Sequence, residues 1–298
     1  MANKPFMAWM TEIQQQVEGA LERLLPSAQH TPQTLHEAMR YVSLGGGKRV
    51  RPLLAFAAGE LVGASADNLA RVAAALEMVH VYSLVHDDMP CMDDDVLRRG
   101  KPTCHVAYDE ATALLVGDAL QTLAFDILST PMAGVEAAAQ LAMTHMLARA
   151  AGHAGMAGGQ AIDLASVGKA LNQPELEYMH LLKTGALIRA SVLLGAMAGR
   201  PLSENETARL DVFAKRMGLA FQVVDDVLDC EADTATLGKT AGKDAAHDKP
   251  TYVSLMGLAE AKQFARDLRD EAFAALEGFG DSAQRLKELA DYIVARSF

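Results

Sequence analysis

Apolar residues recur three and four positions apart through almost the whole chain, and no run alternates over strand length with turn residues at both ends. That period predicts helices over about 5–25, 32–44, 49–63, 66–89, 105–109, 111–128, 133–152, 157–165, 174–199, 204–229, 251–277 and 281–296. Breakers separate them: Pro32, Gly45-Gly46-Gly47, Gly63, Gly100-Lys101-Pro102, Pro131, Pro174, Pro201 and Pro250. Helices without a sheet predict an all-α bundle whose site is made by side chains on facing helices. No linker or shift of composition interrupts residues 1–298, so a single domain with a central cavity is expected. The composition agrees, with 50% hydrophobic residues against 5% aromatic, since alanine, leucine and methionine favour helix over strand.

Two acidic clusters interrupt the apolar pattern. Asp87-Asp88-x-x-x-x-Asp93 follows Met78 to Val85, and Asp225-Asp226-x-x-Asp229 follows Leu219 to Val224. Both fall near the ends of long predicted helices, and i, i+1, i+4 spacing is expected to turn the second set toward one side. Carboxylates crowded beside a core repel one another and lose solvation, which a hard divalent cation such as Mg²⁺ offsets. The bland alternative is a pair of solvated acidic helix ends.

A net charge of -11 argues against a general binder of nucleic acid or anionic membrane. Three cysteines without disulfide spacing fit a reducing, cytoplasmic compartment, and no N-terminal leader pattern is expected. Longer apolar stretches are broken by charge, as by Arg189, so no membrane span is expected.

The basic residues are grouped. Gly45-Gly46-Gly47-Lys48-Arg49-Val50-Arg51-Pro52 places three cations after a flexible turn at a helix start, which suits a diphosphate; an ordinary basic cap is the alternative. It is no P-loop, since Arg49 stands where Ser or Thr is required, and Gly238-Lys239-Thr240 fails because Asp233 occupies the first glycine position. Arg98-Arg99 can point to opposite sides of an extended segment and serve two anions, or merely balance Asp93, Asp94 and Asp95. His80 lies two turns before Asp87, either as a core histidine or on the site. Gln222 shares the acidic face of its helix, and Lys183-Thr184 sits in an apolar helix where a cation needs an anionic partner. Lys239, Lys243 and Lys249 follow the second cluster in a loop that could close over a phosphate. Two carboxylate clusters, two sets of cations and long apolar walls suggest two diphosphate substrates with hydrocarbon tails.

In this order the motifs resemble the short-chain trans-isoprenyl diphosphate synthases, and among them the bacterial farnesyl diphosphate synthases. The likeness runs from Gly45 to Tyr252 and includes Tyr82-Ser83-Leu84-Val85-His86-Asp87-Asp88, Asp93 to Thr103, Gly155 to Leu164, Lys183-Thr184-Gly185 and Phe221 to Asp229. It implies a homodimer using three Mg²⁺ ions held by Asp87, Asp93 and Asp225, with Asp88 and Asp229 in support. Dimethylallyl or geranyl diphosphate would meet Arg98, Lys183, Lys239 and Lys249. Isopentenyl diphosphate would take Lys48, Arg51, His80 and Arg99. Ionisation of the allylic C–O bond would give a cation facing Thr184, Gln222 and the Lys183 carbonyl, to be attacked by the second alkene with loss of a proton. Tyr82, about 7.5 Å deeper than Asp87 along its helix, would floor the tail pocket beside the small Ser83 and favour a C15 product. Geranylgeranyl diphosphate is the alternative product. A non-catalytic partner subunit, a metal phosphohydrolase and a terpene cyclase are the competing classes, and only a synthase consumes isopentenyl diphosphate.

Overall fold

Helix α3 (Val50–Leu61) sits inside the bundle, and its buried residues from Val50 to Gly59 occupy all sides of the helix. An element that is apolar all round has to be wrapped by others. Here α1 (Phe6–Leu24), α4 (Ala66–Asp87), α10 (Ala186–Met197) and the last helix, α14 (Gln284–Ala295), pack around it. The outer α1 is amphipathic, burying Trp9, Met10, Ile13, Val17, Ala20 and Leu21 in one stripe. The computed structural model describes residues 4–169, 171–231 and 250–295.

The remaining helices are α2 (Gln33–Ser43), α5 (Cys104–Ala107), α6 (Glu110–Ser129), α7 (Ala137–Ala151), α8 (Met156–Ser166), α9 (Gln173–His180), α11 (Glu204–Glu231), α12 (Tyr252–Met256) and α13 (Leu258–Leu276). Helix α4 lies along α6, and α11 lies between α10 and α13. Both aspartate clusters sit near the C-terminal ends of their helices, α4 and α11.

The chain departs from the pure helical period at three places. Leu97–Arg98 and Lys101–Pro102 form a two-residue antiparallel ladder, β1 and β2, too short to leave an alternating pattern. Its turn uses positive φ at Arg99 and Gly100. The helix expected over 174–199 is split by a π-turn at Leu181–Gly185. The one expected over 251–277 breaks at Gly257, whose φ of 84° no α-helix accommodates. Helix α6 is long and apolar enough to span a bilayer by length and composition alone, although Asp118 and Asp126 interrupt it. It packs along α4, α2 and α7, while Leu114 and Leu115 face outward. All three cysteines are unpaired.

Candidate active site

A cavity of ≈590 Å³ opens where α4, α8, the π-turn and α11 meet. Asp87, Asp225, Lys183, Thr184, Arg51, His80, Arg98, Arg99, Tyr82 and Ser83 all line it. Residues up to 174 positions apart in the sequence, from Arg51 to Asp225, thus share one volume.

The acidic end is built by the chain folding back on the terminus of α4. The Asp93 amide donates to the Asp87 carbonyl at 2.9 Å and the Asp95 amide to that of Asp88 at 3.1 Å. The four-residue gap is the length that lets Asp93 return beside Asp87. Burial pushes the Asp87 carboxyl up to about 6; Lys183 and Arg98 oppose the rise, and Asp93 and Asp88 add to it. Asp88 turns the other way. It is 3% exposed, and both its oxygens accept from Arg98 Nε at 2.8 Å, with Arg98 Nη2 at 2.5 Å from Oδ1. This places Asp88 as the anchor of a bidentate arginine pair and not among the cavity carboxylates.

The second cluster divides in the same way, because successive helical residues differ by about 100° in direction. Asp225 faces the cavity, and Asp229 follows it one turn on, half-buried. Asp226 points inward, 4% exposed, accepting from Gln222 Nε2 at 2.8 Å and from the Tyr252 amide at 2.9 Å. Where three carboxylates were expected on one side, Asp226 is turned inward and only Asp225 lines the cavity. Among the described residues no three His, Cys, Asp or Glu side chains are gathered into a ready metal cage.

The cations also have distinct fates. Arg49, at a left-handed φ of 51°, is 3% exposed and bonds Glu77 at 2.6 Å, Glu18 at 2.7 Å and the Ser43 carbonyl at 2.8 Å. It holds the helix entry together. Gly45, Gly46 and Gly47, all at positive φ, make the bend before it, and a Cβ at Gly47 would lie 2.7 Å from Arg99 Nη1. Arg51 has no such partners; its Nε is buried without a hydrogen bond. Burial works against its charge, with only partial relief from Glu77 and Asp225, and Arg99 adds repulsion. His80 is held well below its usual pKa by burial and by Arg51, Arg99, Arg98 and Arg49, so it is neutral. Arg98 and Arg99 do point apart, Arg98 to Asp88 and Arg99 to the Gly46 carbonyl at 3.0 Å. Lys48 is exposed and outside the cavity lining. Lys239, Lys243 and Lys249 lie outside the described residues.

The π-turn carries Lys183 and Thr184, and such turns recur at functional sites. Lys183 finds its anion in Asp163, at 2.6 Å. Thr184 donates its hydroxyl proton to Gln222 Oε1 at 3.3 Å, and Asp226 fixes the Gln222 amide the right way round for this. Gln160 on α8 was not singled out from the sequence, yet it lines the cavity with both amide atoms buried and unpartnered. Its signal was a lone polar side chain in the run Met156-Ala157-Gly158-Gly159-Gln160-Ala161-Ile162. Tyr82 is 7% exposed at the cavity wall.

Residues 32–291 match the polyprenyl synthetase family model. The chain is 49% identical over 288 residues to the farnesyl diphosphate synthase of Escherichia coli, covering 95% of this chain and 96% of that one. Its fold is similar to an apo FPP/GFPP synthase from Zymomonas mobilis, with a TM-score of 0.88 at 42% identity over 97% of this chain and 98% of that one. It is also similar to a geranyltransferase from Helicobacter pylori complexed with magnesium and isoprenyl diphosphate, with a TM-score of 0.85 at 33% identity over 99% and 98% of the two chains.

Proposed function

Because the chain belongs to the polyprenyl synthetase family, we propose that it is a head-to-tail prenyltransferase, joining isopentenyl diphosphate to dimethylallyl and then geranyl diphosphate to give farnesyl diphosphate. The observation that carries this reading is a single cavity with carboxylates on two facing helices, a separate set of under-neutralised cations, and an aromatic wall.

The donor set fits Mg²⁺. Asp87, Asp93 and Asp225 are hard oxygen ligands, and the raised pKa of Asp87 marks a charge that lacks compensation. With donors on separate helices, diphosphate oxygens and water would complete the coordination, which suits a metal that keeps several waters. Bound there, Mg²⁺ supplies positive charge for the leaving diphosphate. We propose three ions, with Asp229 in support.

Lys183 and Arg98 reach the same diphosphate. Arg51, Arg99 and neutral His80 take the diphosphate of isopentenyl diphosphate, with Lys48 at the exposed entrance. Thr184 donates its hydroxyl hydrogen bond to Gln222, so its oxygen lone pairs are available to the allylic cation. The alkene of isopentenyl diphosphate attacks that cation, forming the new C–C bond, and the released diphosphate takes the proton. Apolar walls exclude water, which would otherwise capture the cation as an alcohol. Tyr82 stops the growing tail. We further propose a homodimer docked through α6 and α7, where Leu114, Leu115 and Leu141 are exposed. Three unpaired cysteines fit the cytosol.

Purified protein given Mg²⁺, dimethylallyl diphosphate and labelled isopentenyl diphosphate should form mainly a C15 diphosphate, and chelation of Mg²⁺ should abolish it. Absence of condensation beside an active control would refute the reading. Tyr82→Ala should move the main product to C20, read by chromatography of the hydrolysed alcohols. An unchanged C15 product would remove Tyr82 as the floor.

A further inference from the structure

We propose that His86 is a positioning residue that sets the depth of the hydrocarbon pocket by bracing the Tyr82 ring from a fixed seat on α6; this rests on the prenyltransferase reading above. Tyr82 is the wall that meets the tail, and His86 stands one turn further along α4, half-buried beside the same cavity.

Positions i and i+4 of a helix are neighbours, and the rings of Tyr82 and His86 meet edge to face, their centroids 5.9 Å apart at 71°. Such a contact restrains one ring only if the other is itself held. His86 Nε2 donates to the Leu114 carbonyl on α6 at 3.1 Å, and since a carbonyl only accepts, that nitrogen carries the proton. A carbonyl within a helix keeps a second lone pair, which can take a further donor where no side chain covers it. Gly117, three residues on and so on the same face, provides that opening. A Cβ there would sit 1.9 Å from His86 Nε2, 2.4 Å from Cδ2 and 2.5 Å from Cε1. The imidazole therefore fills the place that a side chain at 117 would take, and the notch is its seat. Held by a hydrogen bond and by this fit, the imidazole gives the Tyr82 ring a fixed edge to rest on. Its removal leaves a void beside Gly117 into which the phenol ring can turn, and the tail pocket deepens.

Four variants test this: His86→Ala, Gly117→Ala, Tyr82→Ala, and His86→Ala combined with Tyr82→Ala. The readout is the ratio of C20 to C15 product formed from geranyl diphosphate and labelled isopentenyl diphosphate, since general damage to α4 lowers total product without shifting that ratio. His86→Ala should raise it about fivefold, the factor that one edge-to-face ring contact carries. Gly117→Ala keeps both rings but unseats the imidazole, and should move the ratio in the same direction. Beside Tyr82→Ala, His86→Ala should add nothing, because the ring through which it acts is already gone. A ratio unchanged in His86→Ala or in folded Gly117→Ala, or effects that multiply in the double variant, would overturn the proposal. His86→Ala leaves α6 intact, so it decides the matter with its double variant if Gly117→Ala folds poorly. A wild-type protein that makes no C15 product fails at the earlier reading, whereas C15 synthesis with an unmoved His86→Ala fails at this one.

Discussion

Asp87→Asn should lower turnover by about 10³-fold and at the same time make the ligand-free protein more resistant to heat. The loss follows from removing a carboxylate that lines the cavity together with Asp225 and is proposed to hold Mg²⁺. The gain follows from the raised pKa, from 3.8 to about 6, caused first by burial. At 1.36 kcal/mol per unit this is roughly 3 kcal/mol of disfavoured charge. Partial solvation should leave about 1–2 kcal/mol visible in unfolding. The sign with pH is fixed: the folded-state pKa lies above the unfolded one, so this stabilising contribution is complete below about pH 4 and lost as pH rises through about 6. The advantage of Asp87→Asn in thermal unfolding should therefore be present at pH 8 and fade as pH falls through 6. Mg²⁺ with a diphosphate should stabilise the wild type and not the variant. A variant less stable than wild type at pH 8 would show that the Asp87 charge is already compensated.

Arg51→Met should raise the KM for isopentenyl diphosphate roughly 100- to 1000-fold, the scale of a charged hydrogen-bonding partner lost from a buried site. The KM for the allylic diphosphate should change by no more than about twofold. Methionine follows the arginine stem in volume, and Arg51 Nε is buried without a partner, so the ligand-free fold should hold or gain stability. Arg49→Met, two residues away, is the contrast. It strips Glu77 and Glu18 of their counterion and should cost about 3–5 kcal/mol. Steady-state kinetics and thermal unfolding of the pair would separate a substrate-binding cation from a structural one. Similar KM values for the two variants would sink the assignment of Arg51.

The difference between Arg49 and Arg51 marks where the sequence stops being readable. Three cations after a glycine bend announce an anion site, but which one is neutralised depends on Glu77 and Glu18, from α4 and α1. The aspartate clusters were legible because a carboxylate beside a long apolar run is costly and so has a purpose. That only one member of each adjacent pair faces the cavity required the helix ends to be positioned. The helices themselves followed from their period. The π-turn at Leu181–Gly185 left no trace in that period, since shifting a few backbone bonds changes neither the apolar spacing nor any capping residue. Gln160 was visible as an isolated amide, but its importance lies in having no protein partner, which only packing reveals.

The pairing of Asp88 with Arg98 bears on how the chain can drift. The adjacent letters Asp87-Asp88 read as one motif but answer to different constraints, one chemical and one architectural. Asp88 should change only in concert with Arg98, as two halves of one brace between the end of α4 and the hairpin. Asp87 should co-vary instead with Asp93 and Asp225. A lineage that abandoned catalysis but kept the shape would shed Asp87 first and retain Asp88, so the order in which the two aspartates decay would date the loss of the reaction against the loss of the fold.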